Sequence, residues 1–375
     1  MLEWDDLLGH HSKIETAVKR LQMFCPEEGY YVAFSGGKDS QCVYHLCEMA
    51  GVKFDAHYSV TSVDPPQLVR FIKTQYPAVA LDIPHDDDGK PVTMWNLIAR
   101  KTIPPTRKIR YCCAELKETN GKGRVTVTGV RWAESPRRRK LHGGVDITTK
   151  SQKIINNALE NVPGASLNDR GGLILNDDND EARRMVENCY RTRKTIVNPI
   201  LDWTDDEVWE FLNDYAKVPH CELYDPPYNF KRIGCIGCPM SGSHMREELE
   251  MFPKYRDMYI RAFDKMIANH PDAKIADFTD NAERETAAGS SIAGSSMSSI
   301  GRIPSDGLVV VDATGQDGNE SDAGILTAEE LMTWWIYVQN DSRCSQTWGK
   351  YIGHTSSQLR NIKDCVKEIR EIITR

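Results

Sequence analysis

Residues 30–40 read YYVAFSGGKDS, a β-prone run that breaks into two glycines flanked by serines, with a lysine and an aspartate inside the turn. The segment that follows, SQCVYHLCEMAG, carries apolar residues at helical spacing and ends at Gly51. The stretch therefore predicts a strand, a tight turn and a helix in succession, which is the opening of a parallel α/β unit. At such a junction Gly36 and Gly37 let backbone N–H groups approach an anion closely, and the helix start adds its dipole and unpaired donors. Ser35 and Ser40 supply hydroxyls and Lys38 a cation. Asp39 would repel phosphate, so it makes sense as a Mg²⁺ ligand or as a residue that orients the loop. The spacing is not that of a Walker loop, which needs four residues between its first glycine and Gly-Lys.

The pattern continues along the chain. FDAHYSVTSVDPP, VALDIP and RVTVTGVRW read as further strands, and LVRFIKTQYP as a helix between two of them. The expected fold class is α/β, a parallel twisted sheet with helices on both faces, plus a mainly helical C-terminal part. Ligands of such sheets sit beyond the carboxyl ends of the strands, where residues 35–40 and 129–139 both lie. The first 25 residues read as a helix with Leu7, Ile14, Val18 and Leu21 on its apolar side. GGLILNDDNDEARRM reads as a loop, a short apolar run and an acidic turn. In NPILDWTDDEVWEFL, Thr204 and Glu207 form a capping box at a helix start. The expected organisation is an N-terminal helix over 1–27, a nucleotide-binding domain over 28–265, a Ser/Gly-rich flexible insertion over 266–325 and helices over 326–375.

Composition narrows the function. The net charge is −7, which argues against nucleic-acid binding by the surface as a whole, yet residues 101–140 hold twelve Lys or Arg against three Glu. No run of about 18 apolar residues occurs, so no transmembrane helix or membrane partner is expected. The acidic, polar start fits neither a secretion signal nor a transit peptide, and a cytoplasmic protein is expected. Eleven cysteines without an export signal point to metal or redox chemistry rather than to disulfides. Four of them form two pairs, Cys112–Cys113 and Cys235-x-x-Cys238. Adjacent cysteines chelate one zinc awkwardly, whereas on a cubane cluster they can ligate different irons. A [4Fe–4S] cluster is the expected cofactor, with zinc the alternative.

SGGKDS after a strand resembles the PP-loop of the adenine-nucleotide α-hydrolase-like superfamily, which binds ATP and breaks its α–β bond while adenylating an acceptor. Together with CC…CxxC, TGVRWAESPRRR and NPILDWTDDEVWEFL, the loop resembles the phosphoadenosine phosphosulfate reductase family over roughly residues 28–265. The resemblance implies nucleotide contacts from Gly129, Arg131 and Arg137 besides Ser35, Gly36, Gly37, Lys38, Asp39 and Ser40, with Lys38, Asp39 and Arg131 catalytic. It also implies a [4Fe–4S] ligand set of Cys112, Cys113, Cys235 and Cys238. Two features depart from the sulfonucleotide reductases of that family. The lysine and aspartate typical of ATP-cleaving members are retained, and the C-terminal ECG[IL]H segment is absent, the tail having only SRCSQTW and KDCVKEI. The expected activity is thus ATP cleavage for sulfur transfer, with Mg²⁺, an adenine nucleotide, a sulfur- or electron-donor protein and an acceptor that can be a nucleic acid. Sulfonucleotide reduction and a non-catalytic nucleotide- and cluster-binding regulator are the alternatives.

Overall fold

The computed structural model describes residues 1–270, apart from 8, 102, 103, 108 and 243, together with 327–337. These divide into two compact units, residues 1–97 with 110–238, and residues 98–109 with the described residues from 239 on.

The first unit is built on an eight-stranded sheet. Its strands are β3 (Tyr30–Ala33), β4 (Phe54–Ser59), β5 (Ala80–Asp82), β6 (Val125–Val127), β7 (Val145–Thr148), β8 (Ala165–Leu167), β9 (Leu173–Leu175) and β10 (Lys194–Val197). They lie in the order β5-β4-β3-β6-β10-β7-β9-β8. From β5 to β10 all pairings are parallel, and β7, β9 and β8 add an antiparallel meander at one edge. β3 sits inside the parallel part, and Tyr30, Tyr31 and Val32 are all buried, as a strand covered on both faces requires. Helices α1 (Lys13–Met23), α2 (Lys38–Met49) and α3 (Pro66–Gln75) alternate with the first strands. α2 turns Cys42, Val43, Leu46 and Cys47 inward. The parallel α/β class expected from the loop and its neighbours is the one observed.

Two expectations need correction. Residues 3–12 are not helical: β1 (Glu3–Asp6) and β2 (Gly9–Ser12) form an antiparallel hairpin, with Trp4 stacked on His11 at 5.2 Å. The helix begins only at Lys13, where the Ser12 hydroxyl accepts from the Glu15 N–H at 3.2 Å. Leu7, assigned to the buried stripe, is fully exposed. The segment GGLILNDDNDEARRM, read as a loop, a short apolar run and an acidic turn, lies in a region that holds α7 (Gln152–Asn161), three strands and α8 (Asp180–Cys189), the last capped by Asn179. Strands of three or four residues carry too few side chains for alternation to show.

The remaining helices of this unit are short. They are α5 (Tyr111–Leu116), α6 (Pro136–Leu141) and α9 (Asp205–Glu210), while α4 (Met94–Arg100) carries the chain out of it. The capping box at α9 forms as expected, Thr204 accepting from the Glu207 N–H at 3.2 Å and Glu207 from the Thr204 N–H at 2.8 Å. Burial alone would raise the Glu207 carboxyl. The Thr204 N–H and the Lys13 ammonium, 2.9 Å away, outweigh it and hold the group below its ordinary value. Its stabilising contribution is therefore complete above the ordinary glutamate range and lost as pH falls through the depressed folded value. The stability gap between wild type and Glu207→Gln in urea unfolding is expected to be constant near neutrality and to shrink below about pH 4.

The second unit contains α10 (His244–Met251), α11 (Pro253–Asn269) and α12 (Ala328–Tyr337). Trp335 is fully buried against Tyr259 and Phe263, and its indole N–H donates to the Pro105 carbonyl at 2.6 Å. α12 lies within the region 326–375 expected to be helical. The Ser/Gly-rich tract and the C-terminal LRNIKDCVKEIREIITR lie outside the described residues. No helix among the described residues is long and apolar enough to cross a membrane.

Candidate nucleotide and thiolate site

The SGGKDS loop joins the end of β3 to α2 within the first unit. Gly36 adopts φ +72°, and a Cβ there would come within 2.8 Å of Ile72 and Leu68, so both conformation and packing require glycine. The Ser40 hydroxyl accepts from the Ser35 N–H at 3.2 Å and donates to the Gly37 carbonyl at 2.8 Å. Ser40 is thus the clasp of the turn, while Ser35 is exposed. Gly37 caps α2, and the Lys38 N–H donates to the Tyr224 hydroxyl at 2.9 Å.

Charge is concentrated just behind this turn. The Lys38 ammonium lies 3.5 Å from Asp39 Oδ2 and 3.3 Å from Asp205 Oδ1, and donates to the Lys231 carbonyl at 3.4 Å. Arg131 spans the same two acids, Nε to Asp39 Oδ1 at 2.7 Å and Nη2 to Asp205 Oδ1 at 2.6 Å, with Nη1 on the Trp203 carbonyl at 3.1 Å. The four form a neutral quartet of two cations and two carboxylates. Burial works against the Asp205 carboxylate, but Lys38 and Arg131 hold its carboxyl below the ordinary range. Arg131, 1% exposed, is spent on Asp39 of the loop and Asp205 of α9 rather than presented outward.

Gly129 explains how β6 delivers Arg131. A Cβ at residue 129 would stand 2.8 Å from the carbonyl carbon and oxygen of Asp39, so only glycine lets the two segments meet. Gly129→Ala is expected to destabilise the unit by about 1–3 kcal/mol, because backbone cannot yield as a side-chain tip does. It should also weaken nucleotide binding, and titration with an ATP analogue beside urea unfolding reads both effects.

The arginine-rich segment divides its side chains. Glu134 accepts from the Arg131 N–H at 3.1 Å and pairs with Arg138 and Arg232, each at 3.2 Å. Ser135 caps α6 through the Arg138 N–H, as expected of a residue that shapes the loop. Burial lowers the Arg138 guanidinium, with the charges of Arg232, Asp39 and Arg131 within its field, so Arg138 is the member that borders the quartet. Arg137 is exposed and has no ion pair among the described residues.

Cys112 and Cys113 ride on α5, and Cys235 and Cys238 on a turn with Gly237 at φ +70°. Ile236 N–H donates to the Val63 carbonyl at 2.8 Å, docking this turn on the loop after β4. Cys235 Sγ lies 3.5 Å from the Thr61 hydroxyl and 3.7 Å from Asp64 Oδ1. The Cys112 thiol is hydrogen-bonded to Cys113 and feels Cys235 and Cys238, so the pairs face one another. That bond, helped by Arg110 and Lys117, draws Cys113 down to about 5, while burial pushes Cys235 up to about 12. Four soft donors beside two cations suit an anionic multi-iron centre. Among the described residues no three His, Cys, Asp or Glu side chains are grouped to hold a metal ion. Cys42, Cys47, Cys189 and Cys221 are buried packing residues, and Cys344 and Cys365 lie outside the described residues.

The model of the phosphoadenosine phosphosulfate reductase domain matches residues 29–241, more than half of the chain and all of the residues just described. The chain belongs to this family. Adenosine 5'-phosphosulfate reductases from two strains of Staphylococcus epidermidis are similar to it, each 40% identical over 48 residues, 13% of this chain and 18% of the relative. The chain thus aligns with less than a fifth of the length of these curated relatives.

Within this phosphoadenosine phosphosulfate reductase domain, sequence reasoning missed Asp205, Tyr224, Thr61 and Asp64. Asp205 lay in plain view in TDDEV, but as a helix-start acid it signals capping before it signals a site. Nothing in ELYDPP marks Tyr224, whose buried hydroxyl closes the first N–H of α2.

Proposed function

We propose that the chain is an ATP-dependent enzyme that adenylates an acceptor and so prepares it for sulfur transfer. The observation that carries this reading is the buried Lys38 ammonium, set at the phosphate turn beside two carboxylates that Arg131 keeps in place. A cation at that point suits the β- and γ-phosphates, which ATP has and adenylyl sulfate lacks. Asp39 and Asp205 are the acids that would hold the Mg²⁺ accompanying ATP. An acceptor nucleophile attacks the α-phosphorus, the bond to the α–β bridging oxygen breaks, and pyrophosphate leaves with that electron pair. Lys38 and the α2 N-terminus stabilise the charge growing on the leaving pyrophosphate, and Arg138 lies nearby to assist. A sulfur nucleophile from a donor protein then displaces AMP from the acceptor.

Cys112, Cys113, Cys235 and Cys238 would hold a [4Fe–4S] cluster, which when bound supplies a centre for sulfur binding or electron transfer. Arg110 and Lys117 balance its negative charge. Protein purified without oxygen is expected to contain about four iron and four labile sulfide per chain, and Cys112→Ser to lose both. With labelled ATP and Mg²⁺, water serving as the slow acceptor, the expected products are AMP and pyrophosphate. ADP and phosphate would contradict the reading. Sulfonucleotide reduction is the second reading, favoured by the printed name of the Staphylococcus epidermidis relatives. It predicts AMP and sulfite from adenylyl sulfate with a thiol reductant, the thiol leaving as a disulfide.

A further inference from the structure

Arg137 and Lys140 stand three residues apart on α6, and with Pro136 and Leu141 they line a cleft of about 470 Å³ whose other side is Asp169 and Arg170 in the β8–β9 turn. This turn is rigidly built. Asn168 donates to the Leu141 carbonyl at 2.9 Å and accepts from the Arg170 and Gly172 N–H groups, each at 2.9 Å, while Gly171 takes φ +74°. The fold therefore holds Arg170 opposite Arg137 and Lys140, two segments some thirty residues apart in the chain. All three cations are exposed, and none forms an ion pair among the described residues. Asp169 is the one acid that lines the cleft with them. A second cleft, lined by Tyr31, His57, Asp82 and Arg124 among others, is by contrast internally compensated: His57 bridges Asp55 and Asp82, and Arg124 forks onto Asp55 at 2.6 Å through both terminal nitrogens.

Like charges gathered on a fixed frame repel unless a polyanion answers them. Arg137 and Lys140 belong to the basic stretch 101–140, and the fold adds Arg170 to them in a chain that as a whole carries −7. We propose that the α6 and β8–β9 cleft docks the phosphodiester backbone of a nucleic acid. Guanidinium groups can fork onto phosphate oxygens, the ammonium follows as a point charge, and the Pro136 and Leu141 floor accommodates sugar edges. That this nucleic acid is the acceptor for adenylation rests on the proposed ATP chemistry, whereas its binding does not.

The test is binding of short labelled DNA duplex, single-stranded DNA and RNA duplex, followed by fluorescence anisotropy without any nucleotide present. Three phosphate contacts give a contribution of about 40-fold to the loss of affinity between about 50 and 200 mM salt. Combining Arg137→Ala, Lys140→Ala and Arg170→Ala is expected to reduce the logarithmic salt slope by about 3. The charge-matched control Lys73→Ala, Lys153→Ala and Lys254→Ala, all exposed positions outside the cleft, should leave it unchanged. Absence of binding at low salt, an equal slope in the two triple variants, or equally tight binding of polyglutamate through the same three residues would each overturn the proposal. Because no ATP is involved, failure here is distinct from failure of the proposed chemistry.

Discussion

Arg131→Met is expected to destabilise the first unit by about 3–5 kcal/mol, the range for breaking a buried charged network by removing one partner. The guanidinium side chain is 2% exposed, so its place is sheltered from water, whereas Asp39 keeps 19% exposure. Loss of the guanidinium removes the closest cation from Asp39, leaving the Lys38 ammonium at 3.5 Å, and takes the donor from the Trp203 carbonyl. Arg131→Lys restores a charge but cannot span Asp39 and Asp205 at once, and should recover only part of the loss. Urea unfolding at neutral pH measures both variants. A change under about 1 kcal/mol in Arg131→Met would show that the quartet does not hold the loop in place.

Lys38→Ala is expected to behave in the opposite way. Asp39 and Asp205 keep Arg131 at 2.7 and 2.6 Å, so the loss of folding stability should be smaller than in Arg131→Met. The rate of AMP and pyrophosphate formation should fall by at least about 100-fold, the scale for removing a group aimed at developing charge in a sheltered site. Lys38 and Arg131, both buried and both cationic, are thereby separated into a residue for chemistry and a residue for architecture. Equal losses of stability in the two variants would erase that separation. Unaltered nucleotide turnover in folded Lys38→Ala would remove the lysine from the mechanism.

The SGGKDS turn was readable because its residues are local: the strand, both glycines and the helix start lie within a dozen positions. The partners of the turn were not. Asp205 and Tyr224 reach it from segments some 165 to 190 residues away, and only the folded sheet brings them together. Arg131 was found for its position after β6, but its orientation toward Asp39 depends on the close approach at Gly129, which a glycine in a sequence does not announce. Arg137 was grouped with the nucleotide contacts, whereas α6 turns it outward to a cleft and leaves Arg138 bordering the quartet. The hairpin at residues 3–12 was hidden by apolar spacing that mimics a helix until Gly9, at φ +122°, breaks it.

The most direct test of ATP as the substrate is equilibrium binding to protein purified without oxygen. An α,β-non-hydrolysable ATP analogue with Mg²⁺ would be titrated in parallel with adenylyl sulfate and phosphoadenosine phosphosulfate. Preferential binding of the ATP analogue, lost in Lys38→Ala, is the result predicted. Preference for either sulfonucleotide, with Lys38→Ala binding it as well as the wild type does, would contradict the assignment and make sulfonucleotide reduction the function of this site.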